Sequence, residues 1–425
     1  LRDTTTALTY HTLWQQIQAL ADQLQQAGVR RLALQLDNGL DWARIDLACA
    51  LAGIVLIPMP TFFSPQQQDW LLDSSGADAL IGPARTDWQA QTSILAHPLQ
   101  RHTPAQLPPL PPGTAKITYT SGTTGQPKGV CLSLEQMMRT SAALAERIAP
   151  AQIGEHLTLL PLSTLLENLT GLYVPLLLGA ASRIPRLAEV GFSGSSQLDP
   201  EQLAATLLAS RPHSLVLVPE LLRLLVALCA RQPALCESLR FVAVGGGKVA
   251  PDLITNARAL GLPVFEGYGL SECGSVVALN SPGQDKAGSA GQPLSHLSVR
   301  IADDGEVMVA GASMLGYLGE TTGPMPEIAT GDLGRIDEAG FLHLTGRKKN
   351  VQITAFGRNF SPEWVEAEAQ LCPAIARLVI FGEGLAQNVA LIQPRAGFEL
   401  ELPGQIAALN ARLPDYARVH RWFIP

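Results

Sequence analysis

The first hundred residues alternate between two hydrophobic patterns, and this alternation limits the folds open to the chain. Apolar residues recur at helical spacing at Trp14, Ile17, Leu20 and Leu24, and the pattern ends at Gly28. The apolar run RLALQL follows and has the length of a buried strand. The same succession continues through DWARIDLACALAG, VLIPM, PQQQDWLLDSSG and ADALIG. Helices that alternate with strands pack in layers around a mostly parallel sheet, so the sequence predicts an α/β fold.

Residues typical of helix starts indicate where two of these helices begin. Thr12 and Gln15 have the spacing of a capping box, as do Ser133 and Gln136 before the helical pattern LEQMMRTSAALAERI. AKITY is a predicted strand. The segment 121–128 is therefore expected to join a strand to a helix.

The pattern of the chain changes from about Leu297. SVRIADDGEVMVAG and GRIDEAGFLHLTGR have the form of short strands joined by Asp/Gly turns, which predicts a small β-rich subdomain. After Arg347 the sequence predicts a compact α+β segment. There Ser361 and Pro362 are a good N-cap and N1 pair for the helix EWVEAEAQL, and ARLVIFG and NVALIQP are predicted strands.

Charge and composition argue against several classes of protein. The 425 residues carry a formal net charge of −7 without a basic block, so nucleic acid is not an expected partner. The six cysteines are scattered and form no CxxC pair, so neither a zinc site nor a disulfide framework is expected, and we expect a cytoplasmic protein. The longest apolar run, Leu47–Pro60, is too short to span a bilayer.

The stretch TYTSGTTGQPKGV, Thr118–Val130, combines glycines, side-chain hydroxyls and one lysine. Such a loop can direct N–H groups and hydroxyls at an anion while the lysine adds positive charge, which makes polyphosphate a natural ligand. It is not a Walker A loop, because Pro127-Lys128-Gly129 stands where that motif needs Gly-Lys-Ser/Thr. Composition alone leaves two interpretations, a phosphate site and a flexible surface loop.

Further motifs follow this loop in the order found in the adenylate-forming superfamily of acyl-CoA synthetases, peptide-synthetase adenylation domains and luciferases. GYGLSE (Gly267–Glu272) resembles its adenine and magnesium motif, TGDLG (Thr330–Gly334) its ribose motif, and GRKKN (Gly346–Asn350) its hinge. GRNFSPEWVE (Gly357–Glu366) resembles the start of its small C-terminal domain. The resemblance covers nearly the whole chain, and the later motifs are most similar to those of long-chain fatty acyl-CoA synthetases.

The resemblance implies an ATP-dependent acid–thiol ligase. A carboxylic acid, in this case a fatty acid, would react with ATP to give acyl-AMP and pyrophosphate, and coenzyme A would then displace AMP. ATP, Mg²⁺ and coenzyme A are therefore expected. The phosphopantetheine of an acyl or peptidyl carrier protein is an alternative acceptor, and a non-catalytic acyl-nucleotide-binding protein is a second alternative.

The resemblance also assigns roles to individual residues. The expected catalytic residues are Thr120, Lys128, Ser271 and Glu272, with Glu272 as the Mg²⁺ ligand. Residues expected to bind nucleotide or coenzyme A are Ser121, Gly122, Thr123, Thr124, Gly125, Gly245, Gly246, Gly247, Tyr268, Gly269, Asp332, Arg347, Lys349 and Gly357. Among these, Tyr268 would stack on adenine, Asp332 would hold ribose, and Arg347 would bind ribose or phosphate. Lys349 would be the hinge, and Gly357 would line the pantetheine tunnel.

The hinge position divides the predicted chain into an N-terminal domain, 1–348, that binds acid and ATP, and a small mobile C-terminal domain, 349–425. The family has a catalytic lysine near its C-terminus, whereas no lysine follows Lys349 here, so the C-terminal domain is expected to be incomplete at its end. Thr164 stands where the long-chain synthetases commonly have a histidine, while Glu167 matches their glutamate.

Overall fold

The structure is a computed structural model that describes residues 1–120, 127–194, 197–311, 313–320, 323 and 325–425. Its α-helices are α1 (Tyr10–Gln26), α2 (Leu40–Ala52), α3 (Pro65–Ser75), α4 (Leu134–Ile148), α5 (Leu165–Glu167), α6 (Val174–Leu177), α7 (Pro200–Ser210), α8 (Pro219–Arg231), α9 (Pro251–Ala259), α10 (Pro362–Ala369) and α11 (Leu402–Ala411). A π-helical turn, Asn168–Tyr173, connects α5 to α6.

Its strands are β1 (Arg31–Leu34), β2 (Val55–Pro58), β3 (Ala79–Ile81), β4 (Gln89–Ile94), β5 (His97–Arg101), β6 (Thr114–Thr120), β7 (Lys128–Ser133), β8 (Glu155–Leu157), β9 (Ala181–Arg183), β10 (Phe192–Ser193), β11 (Gln197–Leu198), β12 (Ser214–Leu217), β13 (Phe241–Val244), β14 (Val264–Tyr268), β15 (Ala278–Leu279), β16 (Gln292–Pro293), β17 (Ser298–Ile301), β18 (Glu306–Ala310), β19 (Gly316–Tyr317), β20 (Glu327–Ile336), β21 (Leu342–Arg347), β22 (Gln352–Ile353), β23 (Asn359–Phe360), β24 (Ile375–Phe381), β25 (Val389–Pro394) and β26 (Arg421–Phe423).

The first sheet has the strand order β19-β7-β6-β2-β1-β3-β5-β4. Its centre is parallel, because β1 pairs in parallel with β2 and β3, and β2 with β6. Its two margins are antiparallel. The helices and strands predicted for the first eighty residues therefore form as expected, with the short strands buried on both faces.

Helix α1 begins earlier than its sequence predicts. Thr9, and not Thr12, is the N-cap, and its side chain accepts a hydrogen bond from the Thr12 N–H. Trp14, expected in the apolar stripe, is 51% exposed, and its neighbour Leu13 is buried instead. Two adjacent apolar residues fit the helical period equally well, and packing against α2 selects the smaller one.

The segment after β6 does not lead into a helix, which corrects the prediction for residues 121–128. Lys128 is the first residue of β7, which pairs antiparallel with β6. Helix α4 begins only at Leu134, where Ser133 accepts a hydrogen bond from the Gln136 N–H as expected. The described residues on either side of 121–126 therefore pair as two antiparallel strands, and not as a strand and a helix.

The second sheet has the order β16-β15-β14-β13-β12-β8-β9. Strands β9, β8, β12, β13 and β14 run parallel, so their carboxyl ends meet at one edge. In open α/β sheets this edge is where ligands bind. Two predicted motifs lie there: Gly245 directly follows β13, and Tyr268 ends β14.

The last part of the chain is β-rich and then mixed, as predicted. An antiparallel sheet of order β17-β18-β20-β21 forms the β-rich subdomain. Strands β24, β25 and β26 with α10 and α11 enclose a hydrophobic cluster of their own. The predicted α/β fold class is confirmed, whereas the boundary between 348 and 349 stays a prediction.

Within the described ranges, no helix combines the length and the hydropathy that crossing a bilayer requires. The six cysteines are all buried free thiols.

Candidate active site

The two ends of the predicted phosphate loop lie side by side. Thr120 and Lys128 are register partners at the loop end of the β6–β7 hairpin, with Thr120 half-buried and Lys128 exposed. The expected contacts of Ser121, Gly122, Thr123, Thr124 and Gly125 lie outside the described residues. The hairpin thus presents one hydroxyl and one ammonium group where the loop begins and ends.

A tyrosine that the sequence did not single out connects Lys128 to Glu272. The Lys128 Nζ lies 5.1 Å from the centre of the Tyr317 ring, a cation–π distance. The Tyr317 hydroxyl donates to Glu272 Oε1 at 3.0 Å. Burial, followed by the Glu272 charge, raises the pKa of Tyr317 above its usual range, so the hydroxyl remains a donor. This cluster places a lysine over the face of the Tyr317 ring and a carboxylate at its hydroxyl.

A second cluster brings Tyr268, Asp332 and Arg347 together, although they come from different motifs. The Tyr268 hydroxyl donates to Asp332 Oδ2 at 2.6 Å, and Arg347 Nε lies 2.9 Å from Asp332 Oδ1. Asp332 is only 7% exposed, and burial raises its pKa above its usual value. Each carboxylate oxygen has two lone pairs, so both can accept one more hydrogen bond. The carboxylate is thus able to hold a pair of vicinal hydroxyls.

Asp332→Asn is expected to raise the KM for ATP by about ten- to a hundredfold while changing kcat little. The amide keeps one acceptor oxygen but replaces the other with a donor, and hydrogen bonds to a charged group contribute about 1.5–3 kcal/mol. Steady-state kinetics with ATP as the varied substrate measure the effect. Asp304→Asn, which removes an exposed carboxylate from the same sheet, is the control. Normal ATP kinetics in Asp332→Asn would contradict a ribose-binding role.

The glycine triplet after β13 lies against the Tyr268 loop. A Cβ atom on Gly245 would lie 3.0 Å from the Gly267 carbonyl oxygen, which is tighter than side chains normally allow. Gly246 has a φ of +76°, and Gly247 continues the turn toward Lys248. The close backbone approach therefore favours glycine at the first position, and the positive φ favours it at the second.

Two titratable residues flank this triplet, and neither was assigned a role from sequence. Burial raises the pKa of Glu266 to about 8, against the opposing charges of Lys248 and Arg258. Burial also lowers the pKa of Lys248, despite the attraction of Glu266 and of two glutamates of α10. Strongly shifted pKa values of this kind are concentrated at functional sites.

Glu266→Gln is expected to remove a pH dependence of stability. The folded pKa of about 8 lies above the ordinary value of 4.5, so the folded protein binds this proton more tightly than the unfolded chain. The free energy of unfolding therefore falls as the pH rises from about 4.5 to 8, and this loss is absent in the glutamine variant. Melting temperatures between pH 5 and 9 test this.

The Glu266→Gln variant should match the wild type near pH 5 and exceed it near pH 8.5. Glu237→Gln, at an exposed surface position, reports the effect of losing a charge alone. If the melting temperature of Glu266→Gln changed with pH in the same way as that of the wild type, the raised pKa of Glu266 would be contradicted.

An apolar cavity of about 240 Å³ opens beside the Tyr268 loop. Its walls come from α4, the helical segment 165–178, and strands β12 to β14. At one end it is lined by Gly245, Tyr268, Gly269 and Ser271, and at the other by Ile148, Ile153, His156, Ser214 and Phe241. The predicted nucleotide motifs thus border a hydrophobic cavity at the carboxyl edge of the second sheet.

Two polar residues at the far end of this cavity, His156 and Ser214, were also missed from sequence. His156 Nδ1 lies 2.9 Å from Ser214 Oγ, and His156 Nε2 lies 3.3 Å from Glu167 Oε1. Glu167 precedes the π-helical turn and is completely buried, and burial raises its pKa. Thr164, which replaces the expected histidine, lines the cavity and donates to the Pro161 carbonyl oxygen at 2.7 Å.

The remaining predicted residues lie away from these clusters. Lys349 is exposed in a short turn after β21. Gly357 is exposed with a φ of +72°, and a Cβ atom there would contact nothing within 4 Å. Their expected roles as hinge and tunnel residues stay predictions.

Comparison with known proteins identifies one enzyme family over most of the chain. A family model described as "AMP-binding enzyme" matches residues 1–318. A 2-succinylbenzoate–CoA ligase of Bacillus velezensis is 28% identical, over 83% of this chain and 74% of the relative. The long-chain-fatty-acid–CoA ligase FadD15 of Mycobacterium bovis is also 28% identical, over 89% of this chain and 75% of the relative.

Among solved structures, the o-succinylbenzoate CoA synthetase of Bacillus subtilis, in complex with its acyl-adenylate intermediate, has the same fold. It superposes with a TM-score of 0.78 at 24% identity, covering 100% of this chain and 90% of that one.

Proposed function

This chain belongs to the AMP-binding enzyme family, and we propose that it activates a carboxylic acid as acyl-AMP and transfers the acyl group to coenzyme A. The family resemblance predicted from the ordered motifs is confirmed, as is the expectation of an enzyme of this family. The names of the curated relatives support coenzyme A as the acceptor, and they differ in the acid.

One observation carries the proposal: a single loop borders both an apolar cavity and the polar cluster of Tyr268, Asp332 and Arg347. Residues 267–271 line the cavity, while the Tyr268 hydroxyl in the same loop bonds to Asp332. An acid with its chain in the cavity would therefore have its carboxylate at the edge of the polar cluster. Such proximity is what converts a reaction between two bound substrates into an effectively unimolecular step.

In the first step a carboxylate oxygen attacks the α-phosphorus of ATP, and the bond to the pyrophosphate oxygen breaks. Thr120 and Lys128 hold the β- and γ-phosphates, and the Ser271 hydroxyl donates to the α-phosphate. Asp332 and Arg347 hold the ribose, and Tyr268 lies against adenine. The positive and donor groups neutralise charge on the departing pyrophosphate, which is the main form of catalysis available for phosphoryl chemistry.

In the second step the thiolate sulfur of coenzyme A attacks the acyl carbon, and AMP leaves with the electron pair of the broken C–O bond. The hinge at Lys349 and the loop at Gly357 belong to this step, through a rotation of residues 349–425 against residues 1–348. A few backbone torsions at exposed positions are sufficient to absorb such a rotation.

Glu272 has the chemistry to bind Mg²⁺ together with ATP. It is half-buried, and one of its oxygens already accepts from Tyr317, which fixes the carboxylate. Within the described parts of the chain, no three His, Cys, Asp or Glu side chains converge as a metal site. This suits Mg²⁺, which commonly binds through one or two carboxylates plus substrate phosphates and lowers the charge repulsion around them.

The apolar lining of the cavity supports an acid with a largely hydrocarbon acyl group, which agrees with the fatty-acid class expected from sequence. Hydrophobic residues of α4, of the helical segment 165–178 and of strands β12 and β13 line it. Burying hydrocarbon there contributes about 25 cal/mol per Å² to binding.

The test is acid-dependent release of pyrophosphate from ATP, followed by thioester formation with coenzyme A. A panel of straight-chain and aromatic acids should contain some that release pyrophosphate and yield thioester. If pyrophosphate appears but thioester forms only with a pantetheinylated carrier protein, the acceptor in our proposal is wrong. If no acid releases pyrophosphate, the proposal of an acid-activating enzyme fails.

A further inference from the structure

We infer that the acid is a monocarboxylic acid about eight atoms long whose far end carries a neutral hydroxyl or carbonyl group that hydrogen bonds to Ser214. The inference rests on the proposed function, because it takes the cavity as the acyl site. It adds a chain length and a specificity-determining residue.

The strands along the cavity set its depth. Ser214 is the register partner of Phe241 at one end, and Leu217 is that of Val244 at the other. Three residues of a parallel strand advance about 10 Å. An extended protein residue has three backbone bonds and spans at most ~3.6 Å, which is about 1.2 Å per bond. An extended acyl chain with the same advance per bond therefore fits about eight bonds into about 10 Å.

Apolar side chains line the far end of the cavity. The far end is formed by Ile148, Ile153 and Phe241, all buried, and Phe241 stacks on Phe265 with ring centres 5.1 Å apart. A chain of about sixteen carbons would be twice as long as this space.

Ser214 retains hydrogen-bonding capacity toward the cavity. It is 3% exposed, lines the cavity, and bonds to His156 Nδ1 at 2.9 Å. If His156 Nδ1 donates to Ser214 Oγ, the serine hydroxyl proton is free to donate to a ligand. If His156 Nδ1 instead accepts from the serine hydroxyl, the lone pairs of Ser214 Oγ are free to accept from a ligand. A ligand hydroxyl matches both arrangements and a carbonyl matches the first.

The relay behind Ser214 fixes its orientation. His156 is 2% exposed, and its other nitrogen lies 3.3 Å from Glu167 Oε1, so both ring nitrogens are occupied. A fixed polar group in an apolar cavity discriminates strongly, because a ligand without a matching group leaves it unpaired.

The distal group is neutral because the cavity offers it no counter-charge. No lysine or arginine occurs among its described lining residues. A second carboxylate would be buried without a cation, which is costly. The inferred acid therefore has one carboxylate and a neutral distal oxygen.

Binding of non-hydrolysable acyl-AMP mimics tests the inference without requiring turnover. Acyl-sulfamoyl adenosines would carry a saturated chain of about eight carbons, its ω-hydroxy counterpart, and a chain of about sixteen carbons. Calorimetry is expected to give an ω-hydroxy mimic that binds the wild type about tenfold more tightly than the unsubstituted one, and Ser214→Ala should bring this ratio close to one. The longest mimic should bind most weakly.

Thr170→Val is the matched control, because Thr170 also lines the cavity but its hydroxyl already donates to the Leu166 carbonyl oxygen at 2.7 Å. It should leave the ω-hydroxy ratio unchanged. A ratio near one in the wild type, a ratio unaffected by Ser214→Ala, or tighter binding of the longest chain would each overturn the inference. Acid-dependent pyrophosphate release, measured separately, decides the proposed function whatever these ratios are.

Discussion

The Glu272→Gln substitution is expected to slow acyl-AMP formation by about two to three orders of magnitude while leaving ATP affinity almost unchanged. Glutamine keeps the size of the side chain and an oxygen that can accept from Tyr317, so the local structure should survive. What it removes is the negative charge that we propose as the Mg²⁺ ligand, and a bound Mg²⁺ would act mainly on charge that develops as pyrophosphate leaves. Single-turnover formation of acyl-AMP, with ATP binding measured by calorimetry, separates the two effects.

Tyr317→Phe is the matched control for this experiment. It removes the hydrogen bond to Glu272 but keeps the carboxylate and the aromatic ring below Lys128. Loss of one such bond should reduce the rate by about tenfold or less. Equal losses in the two variants would show that Glu272 acts only through its orientation, and full activity of Glu272→Gln at saturating Mg²⁺ would exclude it as the metal ligand.

Much of the fold follows from local patterns, because strands and helices of the two parallel layers differ in hydrophobic period. Strand β1 and helix α4 were predictable for this reason. The error at Lys128 has a local cause as well. The cap signal at Ser133 lies only five residues later, and the short strand between them has no polar alternation that separates it from a loop.

A residue of the candidate site was predictable only where it lies within a recognisable family motif. Tyr268 and Asp332 were found through family motifs, although their hydrogen bond joins residues 64 positions apart. Tyr317 could not be found in this way. It comes from a two-residue strand that pairs with β7 at Val130, and nothing in its neighbouring sequence indicates that partner.

The polar relay in the cavity was hidden for the same physical reason. His156, Ser214 and Glu167 come from two strands and a helical segment, and only Glu167 stood out in the sequence, through its match to the long-chain synthetases. Their relation depends on the parallel register of β8 and β12, which pairs His156 with Ser214. Burial and distance, which a motif does not contain, are what distinguish them.

Gly269→Ala is expected to abolish acid activation, because it alters the loop that connects the apolar cavity to the polar cluster of Tyr268, Asp332 and Arg347. A Cβ atom at Gly269 would lie 1.7 Å from the Ser275 carbonyl oxygen and 2.7 Å from the Val276 Cα. These are backbone atoms that cannot rotate away, so the chain itself must move. Overpacking of this kind costs about 3 kcal/mol or more, and a displacement of about 1 Å at reacting groups costs about a hundredfold in rate.

The backbone around Gly269 leaves little freedom for such a movement. The Val277 N–H donates to the Tyr268 carbonyl oxygen at 2.7 Å, the Ser275 N–H donates to the Leu270 carbonyl oxygen at 3.0 Å, and Ser275 already has a φ of +82°. A shift that relieves the clash must therefore move Tyr268 or the segment after Ser271. Both lie at the junction between the apolar cavity and Asp332.

Gly404→Ala is the control for Gly269→Ala, because the same added methyl group meets no atom within 4 Å in helix α11. That substitution should be neutral or stabilise the protein by up to about 1 kcal/mol, since alanine favours helices. Melting temperature and pyrophosphate release are compared for both variants. Gly269→Ala should lose at least a hundredfold in activity even at temperatures where it remains folded. Wild-type activity in that variant would mean that the loop tolerates the displacement, and that the contact between residues 269 and 275 does not position the reacting groups.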